Sequence, residues 1–198
     1  MHRHSYALGL AAALSVLVTG CGSHYMGATS LPRPTMSTAH TAGTGMSMVS
    51  GLTGPAGPSS TARMVCGPEI RGDVAQTLRL PSLRSGSATW VDPLYTCTYR
   101  TSRGPVIVTV TDARAPLLGR SYFNALRQSL DPARRLVGLA AFGLPAFETA
   151  NGSVAFLKDG KTLAVDATKL STESIAGHQS RADVAYAIAA DVIGCWSE

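Results

Sequence analysis

The stretch AFETANGSVAFLKDGKTLAVDA, residues 146–167, contains two turn dipeptides, Asn151-Gly152 and Asp159-Gly160, each flanked by strand-forming residues. Asn-Gly and Asp-Gly supply the positive φ angles of type I′ hairpin turns, so the segment predicts three strands joined as an antiparallel meander. A chain that turns this tightly builds an antiparallel sheet, because parallel strands need a crossover of a dozen or more residues.

Working outward, LYTCTYR (94–100) and PVIVTVT (105–111) are β-branched and aromatic runs joined by the Gly-containing TSRG, which predicts a hairpin from Leu94 to Thr111. Between hairpin and meander, LLGRSYFNALRQSL places Leu118, Tyr122, Ala125, Leu126 and Ser129 at helical spacing until Pro132 stops it. CGPEIRGDVAQTLRLP, 66–81, has Pro68 and Glu69 in a first turn and spaces Ile70, Val74 and Leu78 four apart. At the end of the chain, SRADVAYAIAADVIGCW has Ser180 as cap, Asp183 three residues on, and a stripe of Val184, Ile188, Val192 and Cys195. The expected class is α+β, a single antiparallel sheet of about five strands with three helices packed on it, in the order α-β-β-α-β-β-β-α. A further strand at Arg135–Leu139 is an open alternative.

This domain occupies 64–198, and two different segments precede it. MHRHSY carries Arg3 and two histidines, and Ala7–Val18 is an uncharged apolar run of twelve residues. That is too short to span a bilayer, which takes roughly 20 residues, but it suits a secretory signal over 1–20. Val18-Thr19-Gly20-Cys21 has the form of a bacterial lipobox, which makes Cys21 the lipidation site and an anchor to the membrane through acyl chains such as palmitate. Two chains suffice for stable anchoring. From Cys21 to Arg63 the sequence is rich in Gly, Ser, Thr, Ala, Pro and Met, with Arg33 and Arg63 its only Arg or Lys and no acidic residue. Such a composition cannot bury a core and reads as a disordered tether. Its Ser, Thr and Pro also suit an O-glycosylated stalk.

The net charge of +5 misleads, because Arg3, Arg33 and Arg63 lie outside the domain. Within it fourteen basic residues face twelve acidic ones, and no basic run is interleaved with aromatics, so no nucleic-acid partner is expected. Beyond Cys21 three cysteines remain, an odd number. In an oxidising compartment Cys66–Cys97 would staple the first helix to the sheet, with Cys195 as the alternative partner of Cys66 and three reduced, buried cysteines as a third arrangement. No metal site is expected, since there is no CxxC pair and His178 is the domain's only histidine. His178, Ser180 and Asp183 could be read as a hydrolytic triad, but adjacent residues at a helix start suit capping better, and no G-x-S-x-G elbow exists. Asp92, Asp112, Asp131 and Glu148 fall at loops or strand ends without pairing, Asp159 is turn chemistry, and Asn151 in NGS matches a glycosylation acceptor only formally. Trp90 and Trp196 are candidates to line a ligand pocket. No catalytic residue and no cofactor is expected.

VCGPEI, ATWVDPLYTCTYR, FETANGSVAFLKDGKTLAVDAT and IGCW, following a lipobox and a low-complexity tether, together resemble the uncharacterised lipoproteins of the actinobacterial, especially mycobacterial, cell envelope. The resemblance implies a location on the outer face of the cell membrane. It also implies a small α/β sandwich that binds an envelope partner or an apolar, lipid-like ligand; the resemblance is silent on activity, and the residues themselves lead us to expect a non-catalytic protein.

Overall fold

In the computed structural model of the chain, the described residues are 57–130, 132–171 and 179–196. The expectations for the signal sequence, Cys21, most of the tether, Asp131 and His178 fall outside them.

Seven strands form one antiparallel sheet: β1 Ser87–Val91, β2 Leu94–Thr101, β3 Gly104–Thr111, β4 Ala133–Leu136, β5 Ala146–Thr149, β6 Ser153–Lys158 and β7 Lys161–Asp166, in spatial order β1-β2-β3-β7-β6-β5-β4. Four α-helices accompany it: α1 Ser60–Met64, α2 Pro68–Thr77, α3 Pro116–Ser129 and α4 Arg181–Cys195. The α+β class holds, and the counts exceed the expected five strands and three helices. β1 is added because SATWV pairs along its whole length with β2, from Ser87 opposite Thr98 to Val91 opposite Leu94. Alone it is too short and too exposed to show the alternation that marks a half-buried strand. The uncertain strand is real but lies at Ala133–Leu136, and a 3₁₀ turn at Gly138–Ala141 follows it. α1 begins inside the segment assigned to the tether. Ser59 caps it by accepting from the Ala62 amide, and Thr61 and Ala62 are buried, so the folded region reaches back beyond Met64.

Strand alternation sorts side chains onto two faces. On one, Tyr95, Cys97 and Tyr99 of β2, Val106, Val108 and Val110 of β3, Val154 and Phe156 of β6, and Leu163 and Val165 of β7 are all buried under α1, α2 and α4. The stripes expected from spacing are the ones that pack here: Ile70, Val74 and Leu78 from the first long helix, Val184, Ile188 and Val192 from the last. Cys66 and Cys97 form a disulfide with Cα atoms 5.3 Å apart, tying the start of α2 to β2. Tyr99 Oη donates to the Val65 carbonyl at 2.8 Å beside it, and burial pushes this phenol up to about 12. Cys195 packs half-buried against the same core.

The other face is covered by α3, whose stripe is not the expected one. Gly119 and Phe123 turn inward, Leu126 and Leu130 follow half-buried, and Leu118, Ala125 and Ser129 are exposed. The cause is a close contact. Gly119 lies against the β6–β7 turn, where a Cβ on it would stand 1.6 Å from the Gly160 carbonyl oxygen. Thr162 Oγ1 donates to the Gly119 carbonyl at 3.0 Å. Phe123 then meets Phe147 with ring centroids 5.1 Å apart over Ala155 and Leu157. In the turn itself Asp159 and Gly160 have φ of 50° and 72°, as a type I′ turn requires. At the other dipeptide only Gly152, with φ 110°, is positive. There the connection is a three-residue loop, Ala150 to Gly152, rather than the expected two-residue turn, because Thr149 closes it by accepting the Ser153 amide on its hydroxyl.

Three outcomes follow for stability. Replacing Cys66 and Cys97 by Ala removes a link closing a 31-residue separation and lowers the unfolding free energy by about 3–4 kcal/mol in denaturant titration. Gly119→Ala lowers it by about 1–3 kcal/mol through the clash with Gly160. Gly72→Ala on α2, where a Cβ meets nothing within 4 Å, raises it by about 0.5–1 kcal/mol.

Candidate functional site

The period of two that buries Tyr95, Cys97 and Tyr99 sends Thr96 and Thr98 to the opposite face, and in β3 it sends Ile107 and Thr109 there. The registers align these residues in rows. Thr89, Thr96 and Thr109 stand side by side across β1, β2 and β3, and Ser87, Thr98 and Ile107 form the next row. Thr96 Oγ1 and Thr109 Oγ1 are 3.4 Å apart. Val91 and Leu94 close the surface at one end.

Among the described residues only α3 packs on this face, and it does so over β6 and β7. The β1–β3 half is therefore a shallow, half-exposed surface whose side chains are uncharged apart from Arg100, which the same alternation places on this face opposite Pro105. Its wall is the flank of α3, where Tyr122, Leu126 and Leu130 enclose, with Leu94, Ile107 and Thr109, a groove of about 200 Å³. Asp166, opposite Ile107 on β7, provides the carboxylate in that groove and accepts the Thr168 amide at 2.8 Å.

The residues singled out by sequence are scattered rather than convergent. Trp196 is closed into the core, with no partner for its indole N–H among the described residues. Trp90 instead lines a separate cavity of about 260 Å³, shared with Asp92, Asp112, Arg114 and Lys161. Asp112 accepts the Ser59 amide at 2.6 Å, and Glu148 pairs with Arg134 across β4 and β5. Asn151 sits in its tight loop, with its side chain against the Thr149 hydroxyl. Ser180 and Asp183 form the reciprocal cap of α4. Ser180 Oγ accepts the Asp183 amide at 3.1 Å, while an Asp183 carboxylate oxygen accepts the Ser180 amide and hydroxyl, both at 2.8 Å. These hydrogen bonds hold the Asp183 carboxyl below its usual range, and they occupy the Ser180 hydroxyl in capping.

The threonine rows escaped the sequence reading because they exist only in register. The alternation in YTCTY and VIVTVT marks an outward face, but Thr89 joins it only once β1 has paired.

Where α2 meets α4, two carboxyl groups have perturbed titration. Asp73 is raised by loss of solvent and by the nearby Glu69, and Asp191 by loss of solvent and by Asp73. Among the described residues, no group of three His, Cys, Asp or Glu side chains is placed to hold a metal ion, and no helix is long and apolar enough to cross a membrane. Comparison with protein-family models, curated proteins and solved structures finds no match for this chain.

Ionising Asp73 is disfavoured in the folded chain only, so its contribution is most favourable where it is protonated and declines as pH rises from 3.8 through the raised folded value. Asp73→Asn accordingly raises stability at pH 7 by up to about 1 kcal/mol at this partly solvated site, and the gain over the parent closes as the pH is lowered toward 3.8. Denaturant titrations across that range check it.

Proposed function

We propose that the chain is an envelope lipoprotein, anchored through acylated Cys21 on the outer face of the cell membrane, whose α+β domain binds an envelope partner without catalysis. The observation that carries this reading is the half of the sheet face made by β1–β3. A bare, solvated β-surface ordinarily carries charged side chains. Here Ser87, Thr89, Val91, Leu94, Thr96, Thr98, Ile107 and Thr109 are all uncharged, Arg100 is the one charged side chain that these three strands place on the face, and α3 stands along one side as a wall. Such a surface is inexpensive to desolvate and presents hydroxyls that can hydrogen-bond across an interface.

The alternative, a carrier of a small lipid-like ligand, is less favoured. The groove of about 200 Å³ is smaller than the roughly 300–1,000 Å³ of drug-sized ligand sites, and the opposite face is filled by fully buried side chains. A hydrolase is less favoured still, since Ser180 and Asp183 serve the helix cap.

The test is photo-crosslinking in intact cells with benzoylphenylalanine at Thr98, beside a control at the solvent-facing Arg127 of α3. The expected outcome is one defined adduct from position 98, absent from 127, and lost when Ile107→Arg is added to a chain that melts as before. Equal capture at both positions refutes the binding face. Cys21→Ser is expected to move the protein out of the membrane fraction or to leave an unprocessed precursor; unchanged fractionation and mass refute the anchor.

A further inference from the structure

Among the described residues, the large apolar side chains left exposed are Val91, Leu117, Leu118, Val137, Leu139 and Phe142, with Leu139 at 95%. They come from three separate connections: the β1–β2 turn, the start of α3, and the loop between β4 and β5. The strand registers place all three at the same end of the sheet. Leu94 lies opposite Thr111, Thr111 opposite Thr162, Thr162 opposite Leu157, and one residue further back Phe156 lies opposite Ala146 and Ala146 opposite Leu136. The strand ends that lead into these connections are therefore neighbours. α3 joins them because Pro116 and Gly119 pack against Gly160 in the β6–β7 turn. At the opposite end, the β2–β3 turn at Ser102-Arg103 and the Ala150–Gly152 loop expose no large apolar side chain.

The amino-terminal side of the chain reaches the domain at this same apolar end. Ser59 donates its amide to Asp112, the residue after β3, and Gly57 and Ser59 line the cavity shared with Asp92 and Lys161. Whatever path the intervening residues take, Cys21 is joined to the domain here.

We propose that this end of the sheet is a membrane-docking surface, at which Leu117, Leu118, Leu139 and Phe142 dip into the interfacial region of the lipid bilayer that holds the anchor. The side chains come from unconnected loops, so no single element's packing accounts for their exposure together. Solvated loop tips carry small and polar residues, whereas leucines and phenylalanine raised on loops suit the headgroup–acyl boundary. Charged residues at this end come in both signs, Asp92, Asp112 and Asp159 beside Arg114, Lys158 and Lys161, so apolar burial rather than net charge drives the contact. The choice of a bilayer over a protein partner rests on the lipobox reading, because a lipid anchor keeps this end nearest the membrane. Docked this way, the domain stands with its sheet strands directed away from the membrane and the β1–β3 face open at its side.

The experiment uses the full chain with benzoylphenylalanine at Leu117 or Leu139, or at Arg103 on the opposite end. Each is reconstituted with vesicles of radiolabelled phosphatidylcholine and irradiated. The expected result is lipid adduct at 117 and 139 at least about fivefold above that at 103, unchanged by high salt and without any need for anionic lipid. Equal labelling of the two ends, labelling that requires phosphatidylglycerol and vanishes in high salt, or a protein adduct replacing the lipid adduct in intact cells overturns the proposal. The mass of the peptide containing Cys21 reads the anchor separately. An unacylated peptide alongside lipid adducts at 117 and 139 removes the anchor and leaves the docking surface standing.

Discussion

The pairing of β3 with β7 is the contact on which the rest of the molecule depends. Ile107 to Thr111 lie opposite Thr162 to Asp166, joining two stretches about fifty-five residues apart in the chain. Each partner belongs to a meander that could form locally, β1–β2–β3 on one side and β4–β5–β6–β7 on the other. A meander alone has one apolar face and too little surface to bury it. Once β3 and β7 join, Val108 meets Val165 and Val110 meets Leu163, and a continuous apolar surface spans the middle of the sheet. α4 then finds a floor on β6 and β7, and α2 rests against α4. The Cys66–Cys97 link fixes the start of α2 to β2, so helices and strands are tied on both sides of the central seam.

The two faces are finished unequally, and this asymmetry produces the candidate site. Three helices cover one face, while α3 alone covers the other and is confined to the β6–β7 side by the Gly119–Gly160 contact. A helix so fixed cannot also cover β1–β3. The uncovered strands carry threonines in rows, a composition suited to a half-exposed β-pleat. At right angles to that face, the connections at one end of the sheet raise six large apolar side chains. The bare face and the apolar end are distinct surfaces, one along the strands and one across their tips.

Local signals determined a good deal. Asp159-Gly160 specified its hairpin because few dipeptides accept two consecutive positive φ angles. Ser180 with Asp183 marked the start of α4 because their side chains satisfy amides that the helix itself leaves unpaired. The stripes of α2 and α4 read correctly because each helix buries one face against a broad apolar surface. The composition after Cys21 put the start of the folded domain at Met64, whereas α1 already begins at Ser60. The buried Thr61 and Ala62 of α1 look like tether residues when only their type is considered.

What the sequence could not decide was set by contacts between distant segments. β1 acquires strand character from its neighbour β2, and a short exposed edge strand has no inward face to leave a pattern. α3 was read with Leu118, Ala125 and Ser129 inward, by apolar type and spacing. Its orientation was decided by Gly119, the one position small enough to touch a turn some forty residues away. Glycine in a helix costs about 1 kcal/mol of propensity, and that cost is the only trace such a contact leaves in a linear string. The threonine rows and the apolar end have the same origin. Each gathers residues from separate elements whose adjacency is a property of register, and register emerges only when β3 has found β7.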